Sequence, residues 1–216
     1  MEKKVIAILL KSSDLRENDR SVRLFSAQEG IITATMRGVK KNNAKLKFAS
    51  QPFAFCEYEL TQKGGAYIVT GATVVEDTYS LCQDPEKYAS AGLVCEVVDK
   101  ASTSIDSASL FIILLKTLKA LLYSSISAPL IVAKFIQKVL SMSGFISLPT
   151  NRVNNDLTTP GGTLDEIAYR TLDDLASISV SKSVVMRAIK IICITFEQVY
   201  ESSLVSLRIF YDIFGE

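Results

Sequence analysis

With no histidine among 216 residues, chemistry in this chain falls to carboxylates, cations, hydroxyls and four cysteines. No Ser-His or Cys-His nucleophile pair, imidazole base or His ligand for zinc can be assembled, which removes most common hydrolase designs. Cys56, Cys82, Cys95 and Cys193 stand far apart with no CxxC pair, so reduced, mostly buried thiols are expected rather than a disulfide framework. The one dense carboxylate group near cations is Asp14, Glu17 and Asp19, whose chemistry would be that of a divalent metal or an acid/base pair. A structural account competes with it. Asp14 and Glu17 have capping-box spacing for a single helical turn between two strands, and Arg16, Arg20 and Arg23 stand where they can pair with these acids. Spacing favours structure, so no catalytic residue, metal ligand or cofactor is assigned.

A second constellation concerns charge. Residues 1–50 hold eleven Lys and Arg against five acids, a balance of +6 in a chain whose total is +1. Such asymmetry points to a basic N-terminal part that meets polyanions. Arg37, Lys40, Lys41, Lys45 and Lys47 surround Gly38 and Asn42-Asn43, where a loop should leave a hairpin. Long cations on a mobile loop suit phosphates of variable spacing, whereas base reading needs fixed bidentate donors. With Arg20 and Arg23 they form the candidate DNA-binding set. Phe48 and Phe53 nearby are either base-stacking platforms or core, and core is the commoner fate of Phe in a strand-rich domain. Gly64-Gly65 and Gly161-Gly162 lie in no GxxxxGK[ST] pattern and read as turns, not phosphate loops.

The elements that would position these residues change character along the chain. Lys4–Ser12, Val22–Ser26, Ile31–Met36, Phe53–Leu60 and Ala66–Val75 read as strands, with turns at Gln28-Glu29-Gly30 and Lys63-Gly64-Gly65. Five strands in so short a span fit a small closed barrel of the OB type. From Pro85 onward the apolar spacing is three and four: Leu110, Leu114, Leu118, Leu121 and Leu122; Val132, Ile136, Val139 and Leu140; Val184, Val185, Ala188, Ile189, Ile192, Phe196 and Val199. Roughly five or six helices are expected, one of them capped by Thr163 with Glu166 reaching back. Residues 144–162 read as a long loop. The fold class is therefore α+β: an OB-fold barrel over residues 1–80, then a helical domain over 81–216. The apolar run Leu110–Tyr123, broken by Lys116 and Lys119, is shorter than the roughly 20 residues of a membrane span. Lys11 ends the apolar N-terminal run with no small-residue cleavage site after it. A cytoplasmic protein with no membrane partner is expected.

Leu9-Leu10-Lys11-Ser12-Ser13-Asp14-Leu15-Arg16-Glu17-Asn18-Asp19-Arg20, followed by Leu24-Phe25-Ser26, Gly30–Ile32 and Arg37-Gly38-Val39-Lys40-Lys41, resembles the N-terminal signature of the RecO family. The likeness covers about 45 residues and is diffuse beyond Tyr79. It implies a non-enzymatic DNA repair and recombination mediator that binds single- and double-stranded DNA and anneals complementary strands. It further implies work with RecR and with the single-stranded DNA-binding protein to load a recombinase, at the nucleoid. Arg37, Lys40 and Lys41 carry over as DNA contacts. The helical domain is expected to receive the acidic tail of the single-stranded DNA-binding protein, with Lys134, Lys138, Arg187 and Lys190 as candidate cations and Phe135, Val139, Ile189 and Ile191 lining a groove. Many family members carry two CxxC pairs after a turn that here is Ser143-Gly144-Phe145. This chain has no cysteine between Gly144 and Gly162, so a four-thiolate zinc site cannot form there. Two other classes stay open: an OB-fold RNA-binding protein, and a metal-dependent nuclease using Asp14, Glu17 and Asp19.

Overall fold

The computed structural model describes residues 2–145 and 158–215. Five strands, β1 (Glu2–Asp14), β2 (Arg20–Ser26), β3 (Gly30–Met36), β4 (Phe55–Lys63) and β5 (Ala66–Glu76), close into a barrel in the order β1-β2-β3-β5-β4. All pairings are antiparallel except β3 with β5, the arrangement of an OB-fold barrel. Gly30 supplies the positive φ (64°) on which the β2–β3 hairpin closes.

The period-two rule explains why β1 is apolar at every position from Val5 to Leu10. Val5, Ala7 and Leu9 point into the barrel with Val22, Leu24, Ile32 and Tyr58, whereas Ile8 and Leu10 point outward into a second core with Phe25, Phe55 and the helices. From Ala7 to Leu10 the strand is covered on both faces and needs no polar alternation, whereas Ile6 on the outer face stays exposed.

Seven α-helices follow among the described residues: α1 (Ser80–Gln83), α2 (Pro85–Ala101), α3 (Ser107–Tyr123), α4 (Ala128–Met142), α5 (Pro160–Tyr169), α6 (Lys182–Val199) and α7 (Ser206–Phe214). This exceeds the expected five or six because α1 is a single turn and α7 a short terminal helix. α2 is buried on several sides, with Leu93, Val94, Val97 and Val98 all inaccessible, and packs against α3, α4, α7 and β1. It is thus the central helix. Asp84 caps it, accepting from the backbone N–H groups of Glu86 and Lys87, and Pro85 begins it.

Three expectations around α5 need correction. Its N-cap is Thr159, whose side chain accepts from Gly162 N–H (3.2 Å), while Thr163 lies buried inside the helix. The Thr-x-x-Glu spacing occurs here one turn too late, because Pro160 already provides the first helical residue. Glu166 pairs forward with Arg170 (2.6 Å) instead of reaching back. Gly161-Gly162 therefore belong to the first helical turn, and the expected loop ends before Pro160; its residues 146–157 lie outside the described residues. No described helix is long and apolar enough to cross a membrane.

Candidate nucleic-acid interface

The basic segment is folded, contrary to the expected mobile loop. Residues 37–54 run through successive turns and a short 3-10 helix, Phe48–Ser50. Val39, Ala49 and Ala54 are buried, and Leu46 partly so, against the barrel interior. Tyr58 rises through that interior and donates its hydroxyl to the carbonyl of Ala49 (3.0 Å). Burial holds the Tyr58 hydroxyl well above the usual tyrosine pKa, so it remains a donor. The segment closes one end of the barrel and turns its cations outward.

The acidic triplet is part of this scaffold. Residues 15–19 form a bend closed by Leu15 N–H donating to the Asp19 carbonyl (3.1 Å), not the expected helical turn. Asp19 Oδ1 accepts the backbone N–H of Gly38 (2.8 Å), and the Lys40 N–H donates to the Asn18 carbonyl (3.1 Å). Lys40 Nζ reaches Asp14 Oδ2 at 2.7 Å, with Arg20 Nε 3.6 Å from Asp14 Oδ1. The hydrogen bond from Lys40 holds the Asp14 carboxyl below the ordinary carboxylate range. Among the described residues no group of three or more His, Cys, Asp or Glu could hold a metal ion. Asp14 and Asp19 are thus both engaged by the basic segment.

The candidate cations divide into two sets. Arg20 pairs with Asp14 and also donates toward the Ser50 carbonyl (3.4 Å); Lys40 is held by Asp14; Arg23 pairs with Asp99 on α2, not with the triplet. By contrast Arg37, Lys41, Lys45 and Lys47 are exposed, and their side chains make no ion pair or hydrogen bond among the described residues. An unpaired cation keeps its full charge available to a phosphate, without a competing bond to break.

One cation outside the expected set belongs beside it. Exposed Arg16 sits on the bend to which the basic segment is bonded, and its side chain has no partner among the described residues. Exposed Lys63 does not join it: β3 and β5 run parallel, so the register Ala34↔Tyr67 and Thr35↔Ile68 carries the β4–β5 turn toward the Gly30 end of β3, away from Arg37. The opposite half of the β2–β3 face is not free. Phe25 and Ile31 are covered by the helices, with Phe25 and Phe111 ring centroids 6.0 Å apart. Phe53 is core, packed edge-on against Tyr88 at 5.6 Å, and Phe48 is 42% exposed.

On the helices, Lys134 donates to the carbonyls of Ile167 (2.7 Å) and Ala168 (3.0 Å) near the end of α5, and burial, with Lys138 nearby, lowers its pKa. Lys138, Arg187 and Lys190 are exposed. The expected groove lining is corrected: Phe135, Val139 and Ile189 are core residues, because the α4 and α6 faces that carry them pack on each other. Of the four, only Ile191 is exposed, and with Arg187, Lys190 and Ile194 it forms an outer stripe of α6.

These features define a class: an OB-fold barrel whose one end is closed by a cationic segment, continued by a helical bundle. Residues 1–77 match the family model of the recombination protein O N-terminal domain. The chain is 30% identical over 95 residues to the DNA repair protein RecO of Clostridium novyi (strain NT), an alignment covering 44% of this chain and 37% of the relative. It is 26% identical over 139 residues to that of Clostridium perfringens (strain 13 / Type A), covering 64% and 56%. To that of Shouchella clausii (strain KSM-K16) it is 34% identical over 100 residues, covering 46% and 39%. The alignments thus span 37% to 56% of these three relatives' lengths. Through residues 1–77 and through these alignments the chain is similar to proteins of the RecO family.

Proposed function

We propose that this chain is a non-catalytic DNA repair protein that binds single- and double-stranded DNA through phosphate contacts and promotes annealing of complementary strands. The observation that carries the reading is the set of four exposed, unpartnered cations, Arg37, Lys41, Lys45 and Lys47, on a segment bonded rigidly to a barrel end. Phosphate contacts carry no sequence information, and a mediator that must accept any sequence needs none. Arg20, Arg23 and Lys40 hold the surface in place, and reach DNA only by leaving Asp14 or Asp99. Residues 1–80 are the DNA-binding part in this reading, and 81–216 the part that meets proteins. The partners are RecR and the acidic tail of the single-stranded DNA-binding protein, whose coated DNA the protein helps open to a recombinase at the nucleoid. The exposed α6 stripe of Arg187, Lys190, Ile191 and Ile194, with Lys138 on α4, has the charge such a tail requires.

The test is a gel-based annealing assay with complementary oligonucleotides, with and without magnesium, beside a binding series on single-stranded DNA, duplex DNA and structured RNA. Annealing independent of magnesium is the expected result. Preference for structured RNA without annealing would transfer the chain to the RNA-binding class, and strand cleavage dependent on magnesium would refute the non-catalytic reading.

A further inference from the structure

The charged segment runs directly into an apolar hollow. Three exposed large hydrophobic side chains, Phe48 (42%), Val74 (49%) and Tyr79 (54%), line one cavity of about 270 Å3 whose floor includes buried Ala54 and Cys56. Phe48 is the residue after Lys47, so the first wall of the hollow adjoins the last unpaired cation of the phosphate-binding segment. On its far side Glu76 is neutralised by Lys119 (2.8 Å), and Asp77 accepts the backbone N–H of Tyr79 (2.8 Å). A concave site lined by aromatic and apolar side chains is the usual form of a small-ligand pocket.

We propose that this hollow receives an unstacked base of single-stranded DNA, with Phe48 and Tyr79 as stacking platforms. The inference rests on the DNA-binding reading above and adds a discrimination that the cations alone lack. Phosphates are common to single strands and duplexes, whereas only a single strand can turn a base sideways onto an aromatic face at no cost in pairing. Charge also orients the strand. Its backbone lies along Lys45 and Lys47, and the Asp77 carboxylate stands on the opposite rim, where an acidic peptide would be repelled but a neutral base is not. Polarity thus favours a nucleic acid over an acidic protein tail at this place.

The experiment uses the full chain and three probes of equal length: an oligo-dT strand, an abasic strand carrying the same phosphates, and a duplex. Phe48→Ala and Tyr79→Ala should each weaken oligo-dT binding by about five- to a hundredfold, the range seen for removal of one stacking aromatic. Affinity for the abasic strand and the duplex should stay at the wild-type value. Equal losses on all three probes, or no loss on oligo-dT, overturn the base pocket. Phe48→Trp gives an independent measurement, because the chain contains no other Trp. Its fluorescence should be quenched by oligo-dT and unaffected by the abasic strand, and equal quenching by both overturns the proposal. A wild-type chain that binds none of the probes overturns the DNA-binding reading together with the pocket. Wild-type binding weakened by loss of the cations but indifferent to Phe48 and Tyr79 overturns the pocket alone.

Discussion

Neutralising the four unpaired cations together, as Arg37→Gln with Lys41→Gln, Lys45→Gln and Lys47→Gln, should change the salt dependence of single-strand binding by a calculable amount. Each phosphate neutralised contributes about 0.7 to the slope of log affinity against log salt on a single strand, so four contacts contribute about 2.8. Between 50 and 200 mM salt that difference corresponds to about a fiftyfold smaller loss of affinity in the variant than in the wild type. Fluorescence anisotropy with a labelled oligonucleotide across that range measures both slopes. The barrel should be unaffected, because the four side chains are exposed and bonded to nothing among the described residues. Lys40→Gln is the internal comparison. Its ammonium is held by Asp14 at 2.7 Å, so it should flatten the slope by much less than one full contact. A quadruple variant with the wild-type slope would place the phosphate site elsewhere. A Lys40→Gln variant matching one quarter of the quadruple effect would refute the division into paired and unpaired cations.

Arg23→Ala and Asp99→Ala, combined in a double-mutant cycle under urea, should show a coupling of about 0.5–1 kcal/mol that shrinks at high salt, since the pair is partly exposed; zero coupling at low salt would mean the contact contributes nothing. Asp106, the N-cap of α3, accepts from Ser109 N–H (2.8 Å), which lowers its pKa below the ordinary 3.8. Its contribution is therefore full above that value and lost as pH falls through the folded-state pKa, and Asp106→Asn should have a shallower fall in melting temperature below about pH 4; identical acid profiles would exclude the cap as a source. A fragment ending at residue 80 should bind a hydrophobic dye and self-associate, because Ile8, Leu10, Phe25 and Phe55 lose burial worth about 1.5–3 kcal/mol each; a monomeric fragment melting with the full chain would show the cores to be independent. Burial pushes the thiols of Cys95 and Cys193 up, the latter to about 12, so half-buried Cys82 should react first with a thiol reagent at neutral pH, and mapping the modified residue by mass spectrometry checks the order.

How much of this could be read in the sequence depended on the distance over which each interaction acts. The five strands follow from β-rich runs with glycine-bearing turns, and structural boundaries fall within two residues of the expected ones at most ends. Helices α3, α4 and α6 follow from spacings of three and four, which test one face of one element. Local pattern failed where two patterns overlapped. Thr163 and Glu166 have the form of a cap, yet Thr159-Pro160 starts the helix four residues earlier, and the hydrogen bond from Gly162 N–H to Thr159, with Thr163 buried inside the helix, decides between them. It failed also for side chains whose partners are remote. Nothing near Arg23 announces Asp99, 76 residues away, and Lys134 is spent on α5 carbonyls 33 and 34 residues along the chain. The expected capping turn of Asp14 and Glu17 does not form; Asp14 and Asp19 are engaged by the basic segment instead, and the task of Asp19 was not legible because the Gly38 amide it accepts arrives only once β2 and β3 are paired.

The same reasoning bears on where function can reside. β1 is apolar on both sheet faces from Ala7 to Leu10, and the helices rest on the outer face through its Ile8 and Leu10 and through Phe25 of β2. That contact removes part of the β2–β3 surface, which in OB folds commonly binds oligonucleotides, and leaves the barrel end as the open route. There the chain concentrates cations without partners, while its paired arginines face either the scaffold or α2. Arg23 with Asp99 joins barrel to helix at the margin of the covered face, where Ile8, Leu10 and Phe25 share a core with the helices, whereas the segment that carries the unpaired cations is anchored by Val39, Ala49 and Ala54 in the separate core inside the barrel. The two cores meet across β1, whose alternate residues enter one and the other, so any communication between the barrel end and the helices has to pass through that strand and its neighbours.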